Sequence, residues 1–237
     1  MQCVILAGGL ATRMRPLTET IPKALITVGN VPFIDHQLDW LSSHGVTDVV
    51  LSIGYRGRML ADHVGDGGRW GLRVLVVDEG EQLQGTAGAL RFADQQGVLE
   101  PAFLVTYGDS FLPVDFAAVW ARFQACGQRA LMTVFRNDGQ WDKSNAIFQD
   151  EMVVLYDKAH ATRPAQAFSY IDYGLLALDR EVVRAKVPSA GKADLAELLH
   201  GLSVAGQLAG LEVHERFYEI GSPAGLEDFS RWIAARD

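Results

Sequence analysis

The sequence predicts an α/β fold in which a mostly parallel mixed sheet lies between helices. Short apolar runs alternate with amphipathic segments at the spacing of βαβ units. Glycines follow the first two apolar runs directly, as they do where strands end in tight loops. A chain of 237 residues with 49% hydrophobic content can bury one large core, so we expect a single domain over residues 1–237.

The regular part of this alternation fills the first 139 residues. Residues 33–44 illustrate it, because Phe33, Ile34, Leu38 and Leu41 share one helical face and Gly45 ends the segment. The predicted strands are 4–7, 48–53, 73–77, 102–106 and 130–135, and the predicted helices are 33–44, 57–64, 86–95 and 115–125. Ligands of such folds bind beyond the carboxyl ends of the strands.

The pattern changes from about residue 140, where apolar runs follow one another without regular helices between the first two. This half of the chain is expected to extend the sheet. Its predicted strands are 147–148, 152–156 and 170–178, and its predicted helices are 194–205 and 224–235.

The formal net charge of −8 argues against nucleic acid or an anionic membrane as a partner. The N-terminus has no basic region before its short apolar run, and no stretch approaches the ~18 apolar residues of a membrane span. We therefore expect a cytoplasmic protein. Cys3 and Cys126 form no CxxC pair, and buried free thiols in a reducing compartment are the expectation for both.

The stretch after the first predicted strand has the composition of a phosphate-binding loop. Gly8 and Gly9 leave backbone amides accessible, and Arg13, Arg15 and Lys23 follow them. Amides without side chains in the way, together with nearby cations, suit a phosphate. The stretch matches neither GxxxxGK[ST] nor GxGxxG. The alternative is a strand followed by an ordinary glycine turn.

The same stretch resembles the signature of the sugar-1-phosphate nucleotidyltransferases, or NDP-sugar pyrophosphorylases. The run LAGGLATRMRPLT followed by PKAL is similar to the family pattern GGxGTRxxPLT followed by PKP, with Ala11 and Ala24 as departures. The resemblance implies a Rossmann-like three-layer sandwich of the glycosyltransferase-A-like nucleotidyltransferase type. It also implies a nucleotide-binding half over 1–139 and a sugar-phosphate-binding half over 140–237. We expect a monomer or homodimer.

A second motif, GTAGAL at residues 85–90, stands at a predicted strand-to-helix junction. The resemblance assigns it to contact with the nucleotide base, since glycines let a flat ring approach the backbone. Thr86 could instead cap the helix, and both roles could hold together. The nucleotide-binding residues implied by the resemblance are Leu6, Ala7, Gly8, Gly9, Thr12, Arg13, Gly85, Thr86, Gly88 and Gly108.

Two acidic residues are candidate Mg²⁺ ligands. Asp109 follows an apolar strand, where a carboxylate with open coordination positions suits Mg²⁺ bridging substrate phosphates. It could otherwise cap the next turn. Glu219 lies in FYEIGS, which resembles the family segment WxDxGT whose aspartate is a second metal ligand. Glu219 could instead be a plain surface carboxylate.

The family resemblance also implies which residues bind the acceptor, the sugar phosphate. They are Asn145, Asp157, Lys158, Asp172 and Gly174. YDK at 156–158 resembles a family lysine segment, so Lys158 is expected to meet the sugar phosphate. YIDYG at 170–174 resembles a family strand that ends in NxG. An ordinary strand with alternating faces is the alternative for this run. Lys192, in GKADL, could be only a solvated side chain.

The resemblance implies transfer of a nucleotidyl group from an NTP to a sugar 1-phosphate with Mg²⁺ as cofactor, and Arg13, Lys23, Asp109 and Lys158 as catalytic residues. GTAGAL resembles the mannose- and heptose-1-phosphate guanylyltransferases, and the runs SNAIF, YDK and YIDYG are most similar to the heptose branch. This resemblance implies GTP with D-glycero-D-manno-heptose 1-phosphate or mannose 1-phosphate. Transfer from UTP, dTTP or CTP to another sugar phosphate, or to an alcohol phosphate such as phosphocholine, is one alternative. A non-catalytic nucleotide-sugar-binding regulatory protein is another.

Overall fold

A computed structural model describes residues 1–9, 14, 16–137, 139–159 and 167–236. The strands are β1 Gln2–Ala7, β2 Thr27–Val28, β3 Val31–Pro32, β4 Asp48–Ile53, β5 Arg73–Asp78, β6 Ala102–Tyr107, β7 Ser110–Phe111, β8 Ala130–Arg136, β9 Ala146–Gln149, β10 Met152–Tyr156, β11 Tyr170–Asp179, β12 Ala209–Val213 and β13 Tyr218–Glu219. The α-helices are α1 Phe33–Ser43, α2 Gly57–Val64, α3 Thr86–Gln95, α4 Phe116–Ala125, α5 Arg180–Lys186, α6 Leu195–Val204 and α7 Pro223–Ala234. Short 3₁₀ turns cover Leu17–Glu19, Lys23–Leu25 and Gly68–Trp70.

A nine-stranded sheet in the order β5-β4-β1-β6-β11-β8-β12-β10-β9 runs through the molecule. Strands β5, β4, β1 and β6 are parallel, β11 is antiparallel to both β6 and β8, and β12 is parallel to β8. Strand β10 is antiparallel to its neighbours β12 and β9. Only β10 and β11 therefore oppose the common direction, which confirms the predicted mostly parallel mixed sheet.

Helices cover both faces of this sheet, as the side chains of β1 show, because successive ones pack against different helices. Ile5 packs on one face with buried side chains of α1, α2 and α4. Val4, the preceding residue, packs on the other face with buried side chains of α3, α5 and α6. Successive residues of a strand point to opposite faces, so one buried strand serves two cores. The predicted three-layer sandwich is confirmed.

A third, mostly aromatic core holds α7 against the region that follows β6. Phe229 of α7 lies with its ring centroid 5.2 Å from that of Phe33 and 4.9 Å from that of Phe111, and it is fully buried. Phe111 belongs to β7, which pairs with β13. Through this packing the C-terminal helix fixes the segment that carries Asp109 and Glu219.

The predicted elements are present, with boundaries within about two residues. The structure adds the two-residue strands β2, β3, β7 and β13, and two longer elements that were not predicted, α5 and β12. Helix α5 begins directly after β11, where Asp179 accepts a hydrogen bond from Glu181 N. Strand β12 lies inside the sheet between β8 and β10. Cys3 is buried, and burial raises the pKa of its thiol, whereas Cys126 is only half-buried; both are free thiols. Within the described ranges, no helix combines the length and apolarity that crossing a membrane requires.

Candidate active site

A cavity of about 260 Å³ opens at the carboxyl ends of β1 and β6. Leu6 pairs with Tyr107 across these two strands, and Gly108 N donates a hydrogen bond of 2.9 Å to Leu6 O. The glycine loop after β1 and the Gly108–Asp109 turn after β6 are thereby neighbours, as the sheet rule predicts. The cavity is lined by Leu6, Ala7, Gly8, Gly9, Pro22, Lys23, Ala24, Ser52, Leu60, Glu79, Leu83, Gly85, Thr86, Ala89, Tyr107, Gly108 and Asp109.

Most residues predicted to contact the nucleotide line this cavity. Thr12 and Arg13 fall outside the described residues, as does Arg15. Gly88 is buried within α3 and faces a neighbouring groove instead, where a Cβ on it would lie 2.9 Å from Gln84 Cβ. Residues of both glycine motifs and Gly108 thus line one cavity, whereas Gly88 packs inside its helix and does not line it.

Lys23 and Asp109 form an ion pair at the edge of the cavity, with 2.6 Å between Lys23 Nζ and Asp109 Oδ2. Lys23 stands in a 3₁₀ turn after Pro22, and Asp109 stands in the turn between β6 and β7. Their side chains are 17% and 31% exposed, so both can reach a ligand in the cavity. A cation and a carboxylate held this close can meet a phosphate oxygen and a divalent cation side by side.

The segment of Glu219 lies beside Asp109 through the backbone. Glu219 pairs with Ser110 between β13 and β7, and Ile220 N donates a 2.9 Å hydrogen bond to Asp109 O. The Glu219 carboxylate accepts hydrogen bonds from Gly221 N at 2.7 Å and from Ser222 Oγ at 2.9 Å. Each carboxylate oxygen keeps a further lone pair, so these bonds orient the group without using up its acceptor capacity.

The donor chemistry at this edge of the sheet suits Mg²⁺, which prefers hard oxygen ligands. In the described part of the chain, no group of three or more His, Cys, Asp or Glu side chains could hold a metal. An ion held by Asp109 and Glu219 would therefore need phosphate or water oxygens for its remaining positions, as is usual for Mg²⁺.

The second motif is built into the contact between α3 and α6. Gly85 has φ 76° and ψ 169°, and a Cβ there would lie 2.5 Å from Ala193 O. One alternative was that Thr86 caps its own helix, and it does not. Its hydroxyl donates to Asp194 at 3.0 Å and accepts from Leu195 N at 2.8 Å, which ties it to the start of α6.

The residues predicted for the acceptor side also come together: Asn145 directly precedes β9, Asp157 and Lys158 directly follow β10, and Asp172 and Gly174 lie in β11. Asn145 Oδ1 accepts a 2.9 Å hydrogen bond from Asp172 N, and Asn145 O accepts a 2.8 Å bond from Asp157 N. Gly174 N donates to Asp172 Oδ1 at 3.0 Å. Lys158 is exposed and close enough for its charge to act on Asp172. These five residues do not line the cavity described above, so they form a neighbouring group.

Burial raises the pKa of Asp172 to about 6. The hydrogen bond from Gly174 N, the charge of Lys158 and the hydroxyl of Tyr156 oppose this rise by favouring the carboxylate. Asp172 can therefore exchange a proton at mildly acidic pH, and it can either donate or accept a hydrogen bond there.

Tyr107 lies between the cavity and the acceptor group, and the sequence analysis did not propose it as a site residue. It lines the cavity, and its Cδ2 lies 3.9 Å from where a Cβ on Gly174 would stand. Burial raises the pKa of Tyr107, and the charges of Asp172, Asp194 and Asp109 raise it further. The phenol therefore stays protonated and neutral. Its ring separates the cavity from the acceptor group.

Glu79 is a second cavity residue that sequence reasoning missed. It follows β5 directly, at the same edge of the sheet as Asp109 after β6. An acidic residue directly after a predicted parallel strand is a sequence feature from which Glu79 could have been predicted as a site residue.

Comparison with known proteins places the chain in a family. Residues 2–145 match the model of the Nucleotidyl transferase family, and the chain belongs to that family. A mannose-1-phosphate guanyltransferase of Neurospora crassa is 41% identical over 138 residues, which cover 56% of this chain and 37% of that protein. A protein of the same name from Kluyveromyces lactis is 42% identical over 188 residues, covering 77% and 51%. The chain thus spans between about a third and a half of the length of these curated relatives.

Solved structures share the fold at lower identity. The structure of HddC from Yersinia pseudotuberculosis complexed with GMP-PN superposes with a TM-score of 0.80 at 22% identity, covering 98% of this chain and 99% of that one. The inositol-1-phosphate CTP transferase from T. maritima superposes with a TM-score of 0.79 at 20% identity, covering 98% and 94%. At this identity the likeness establishes the nucleotidyltransferase fold, which confirms the predicted fold class.

Proposed function

We propose that this chain transfers a nucleotidyl group from an NTP to a sugar 1-phosphate and releases pyrophosphate, with Mg²⁺ as cofactor. The observation that carries the proposal is the Lys23–Asp109 pair, which lies in one cavity with the glycine loop after β1 and the glycine motif before α3. The family membership of residues 2–145 supports the same reaction class.

In the proposed reaction a phosphate oxygen of the sugar 1-phosphate attacks the α-phosphorus of the NTP. The bond from the α-phosphorus to the bridging oxygen breaks, and that oxygen leaves with the electron pair as part of pyrophosphate. The nucleophile is already an anion, so no general base is required, and catalysis consists of positioning and charge neutralisation.

The roles of the residues follow from where their groups lie. The Gly8 and Gly9 amides and Lys23 would hold the triphosphate, together with Arg13, whose role rests on the sequence motif. Lys158 would hold the phosphate of the acceptor. These cations offset the negative charge that two phosphorylated substrates bring together.

Asp109 and Glu219 would hold Mg²⁺ beside the triphosphate. The ion supplies Lewis-acid polarisation of the phosphate oxygens when it is bound. Before that, Lys23 neutralises Asp109, and a ligand that draws Lys23 to a phosphate oxygen would free the carboxylate. Asn145, Asp157 and Asp172 would accept hydrogen bonds from sugar hydroxyls, with Gly174 leaving room for the ring.

We propose GTP as the donor and mannose 1-phosphate or D-glycero-D-manno-heptose 1-phosphate as the acceptor. Relatives named mannose-1-phosphate guanyltransferase, at 41% and 42% identity, support GTP with mannose 1-phosphate. The free thiols of Cys3 and Cys126 fit a cytoplasmic enzyme. Monomer and homodimer are both compatible with a cavity built within one chain.

The test is pyrophosphate release with Mg²⁺, measured for each common NTP against mannose, glucose, N-acetylhexosamine and heptose 1-phosphates and phosphocholine. Release with GTP and a mannose or heptose phosphate is expected. Release with another base or acceptor would keep the reaction class and overturn the substrate pair. Tight nucleotide binding without release from any pair would favour the regulatory alternative.

A further inference from the structure

The segment between β8 and β9 presents a largely exposed indole, that of Trp141, which is 45% exposed. The guanidinium of Arg216 lies over this ring, with its Cζ 3.7 Å from the ring centroid. A guanidinium at this distance stacks on the indole and is attracted by the negative face of the ring. The contact joins two segments that lie far apart in the sequence, one ending at Asn145 and the other leading to Glu219.

The main chain that carries Trp141 is held in place by a buried amide. Asn137 is fully buried, and its Oδ1 accepts a 3.1 Å hydrogen bond from Trp141 N. Its Nδ2 donates to Asp142 O at 2.7 Å and to Ser144 Oγ at 3.0 Å. Asn145 follows directly, and both its backbone and its side chain form hydrogen bonds with β11. The position of Trp141 is therefore tied to that of Asn145 in the acceptor group.

The guanidinium of Arg216 is in turn fixed by α7 and by a second ring. Its Nη2 donates to Asp228 Oδ2 at 2.6 Å, and the side chains of both residues are 30% exposed. Its Cζ also lies 5.0 Å from the ring centroid of Tyr218. A planar guanidinium with a carboxylate partner and two aromatic neighbours has little freedom to turn, so it forms a fixed surface for the indole. Glu219 follows Tyr218 directly in the chain.

The residue after Arg216, Phe217, makes a second contact with the acceptor half of the chain. Its ring centroid lies 6.2 Å from that of Phe135 and 6.0 Å from that of Tyr173, and both contacts are edge-to-face. Phe135 belongs to β8, and Tyr173 belongs to β11, where it follows Asp172. Two successive residues before β13 thus contact the strands and the segment that position the acceptor group.

These contacts connect the two sides of the proposed reaction. The acceptor group holds the attacking phosphate in that reaction, and Asp109 and Glu219 hold Mg²⁺ beside the triphosphate. Because no general base is required, the rate depends on how well the attacking oxygen is aligned with the α-phosphorus, and a misplacement of about 1 Å can cost about 100-fold. A contact that fixes the acceptor segment against the segment of Glu219 therefore acts on the rate.

We propose that Trp141 and Arg216 are positioning residues, whose stacked side chains hold the acceptor group at its reactive distance from the segment of Glu219. The inference rests on the proposed function, because it takes the acceptor group and Glu219 to serve the two substrates. It assigns neither side chain a contact with substrate. Its consequence is that breaking the stack slows the chemical step and leaves binding of the nucleotide unchanged.

The experiment measures pyrophosphate release in a single turnover, with protein in excess over NTP and with saturating sugar 1-phosphate, so that the rate reports the chemical step. The substrates are the pair from the panel above that the native protein uses best. Trp141→Ala and Arg216→Met are each expected to lower this rate about 10-fold, while affinity for the NTP, measured by calorimetry without acceptor, stays within about twofold. The double variant is expected to match the slower single variant within about twofold, because both changes break one contact. Trp141→Phe keeps an aromatic face and is expected to retain most of the native rate.

Arg236→Met is the matched control. Arg236 lies just after α7, and its Cζ is 3.7 Å from the ring centroid of Trp232, so this change removes the same kind of stacked guanidinium. The contact lies within the C-terminal region and does not involve the segment between β8 and β9. The native single-turnover rate is therefore expected for this variant. Thermal unfolding of each variant establishes that it is folded.

Native single-turnover rates in folded Trp141→Ala and Arg216→Met variants would overturn the inference, as would a loss with Trp141→Ala that Arg216→Met does not share. Additive losses in the double variant would overturn it too. A change confined to the steady-state KM for the sugar 1-phosphate would show that the indole binds the sugar directly, which contradicts a positioning role. All of these outcomes leave nucleotidyl transfer standing, whereas the absence of release by the native protein with any pair would overturn the proposed function together with this inference.

Discussion

Lys23 Nζ lies 2.6 Å from Asp109 Oδ2, which joins a 3₁₀ turn after the glycine loop to the turn after β6. The two residues are 86 positions apart in the chain. Their contact brings the cation of one motif to the carboxylate of another at the mouth of the cavity. Each side chain neutralises the charge of the other.

Lys23→Met is expected to reduce the rate of pyrophosphate release about 100-fold, because a cation aimed at the reacting phosphates is lost. The pair is partly exposed to water, so the free energy of unfolding is expected to change by less than about 1 kcal/mol. Steady-state kinetics and urea unfolding measure the two effects. Lys143→Met, at an exposed position, is the matched control. A large loss of stability with normal turnover would show that the pair is structural.

Asp172→Asn is expected to flatten the pH dependence of stability between pH 3.8 and about 6. Burial raises the pKa of Asp172 from its ordinary value of 3.8 to about 6 in the folded protein, so the folded state binds more protons in this window. Native stability should therefore fall as pH rises through it, by about 1–3 kcal/mol, since the residue is only half-buried. Urea unfolding at several pH values measures the slope. Equal slopes for the native protein and the variant would contradict the assignment.

Lys158→Met is expected to raise the KM for the sugar 1-phosphate about 10-fold or more and to leave the KM for the NTP within about twofold. The reason is that Lys158 belongs to the group around Asp172 rather than to the cavity. Initial rates with each substrate varied in turn separate the two constants. An increase confined to the KM of the NTP would contradict this assignment and indicate that Lys158 binds the nucleotide.

Gly85→Ala is expected to destabilise the protein by about 2–3 kcal/mol or more. Gly85 has φ 76° and ψ 169°, a conformation nearly restricted to glycine, and the added Cβ would lie 2.5 Å from Ala193 O. Gly97→Ala provides the control, because Gly97 has φ 71° with no atom within 4 Å of its Cβ position. That change should cost only about 1 kcal/mol. Equal losses in chemical denaturation would mean that the Ala193 contact is unimportant.

The sequence was sufficient to predict the helices and strands whose periodicity is strong, and the edge of the sheet where the site would form. It did not predict α5, which is only one turn or two long and relies on the Asp179 cap after β11. It also did not predict β12, whose residues become a strand only between β8 and β10. Pairings at this distance along the chain leave no local pattern.

The candidate site was predictable where a motif carries it, as with Gly8, Lys23 and Asp109. Glu79 and Tyr107 were missed because their importance depends on which strands lie side by side. Strand β5 reaches the cavity only because β4 pairs with it on one side and with β1 on the other. The bond from Thr86 to Asp194 likewise joins residues 108 positions apart, which no local capping rule could anticipate.

Mg²⁺-dependent pyrophosphate release from GTP and mannose or heptose 1-phosphate is the direct test of metal-assisted nucleotidyl transfer by this protein. It compares the native protein, Asp109→Ala, and Asp62→Ala as an exposed control. Asp109→Ala is expected to fold normally and to lose at least ~100-fold in turnover at every Mg²⁺ concentration, while Asp62→Ala keeps native activity. Full Mg²⁺-dependent release by a folded Asp109→Ala variant would contradict the role of Asp109 as a metal ligand in nucleotidyl transfer.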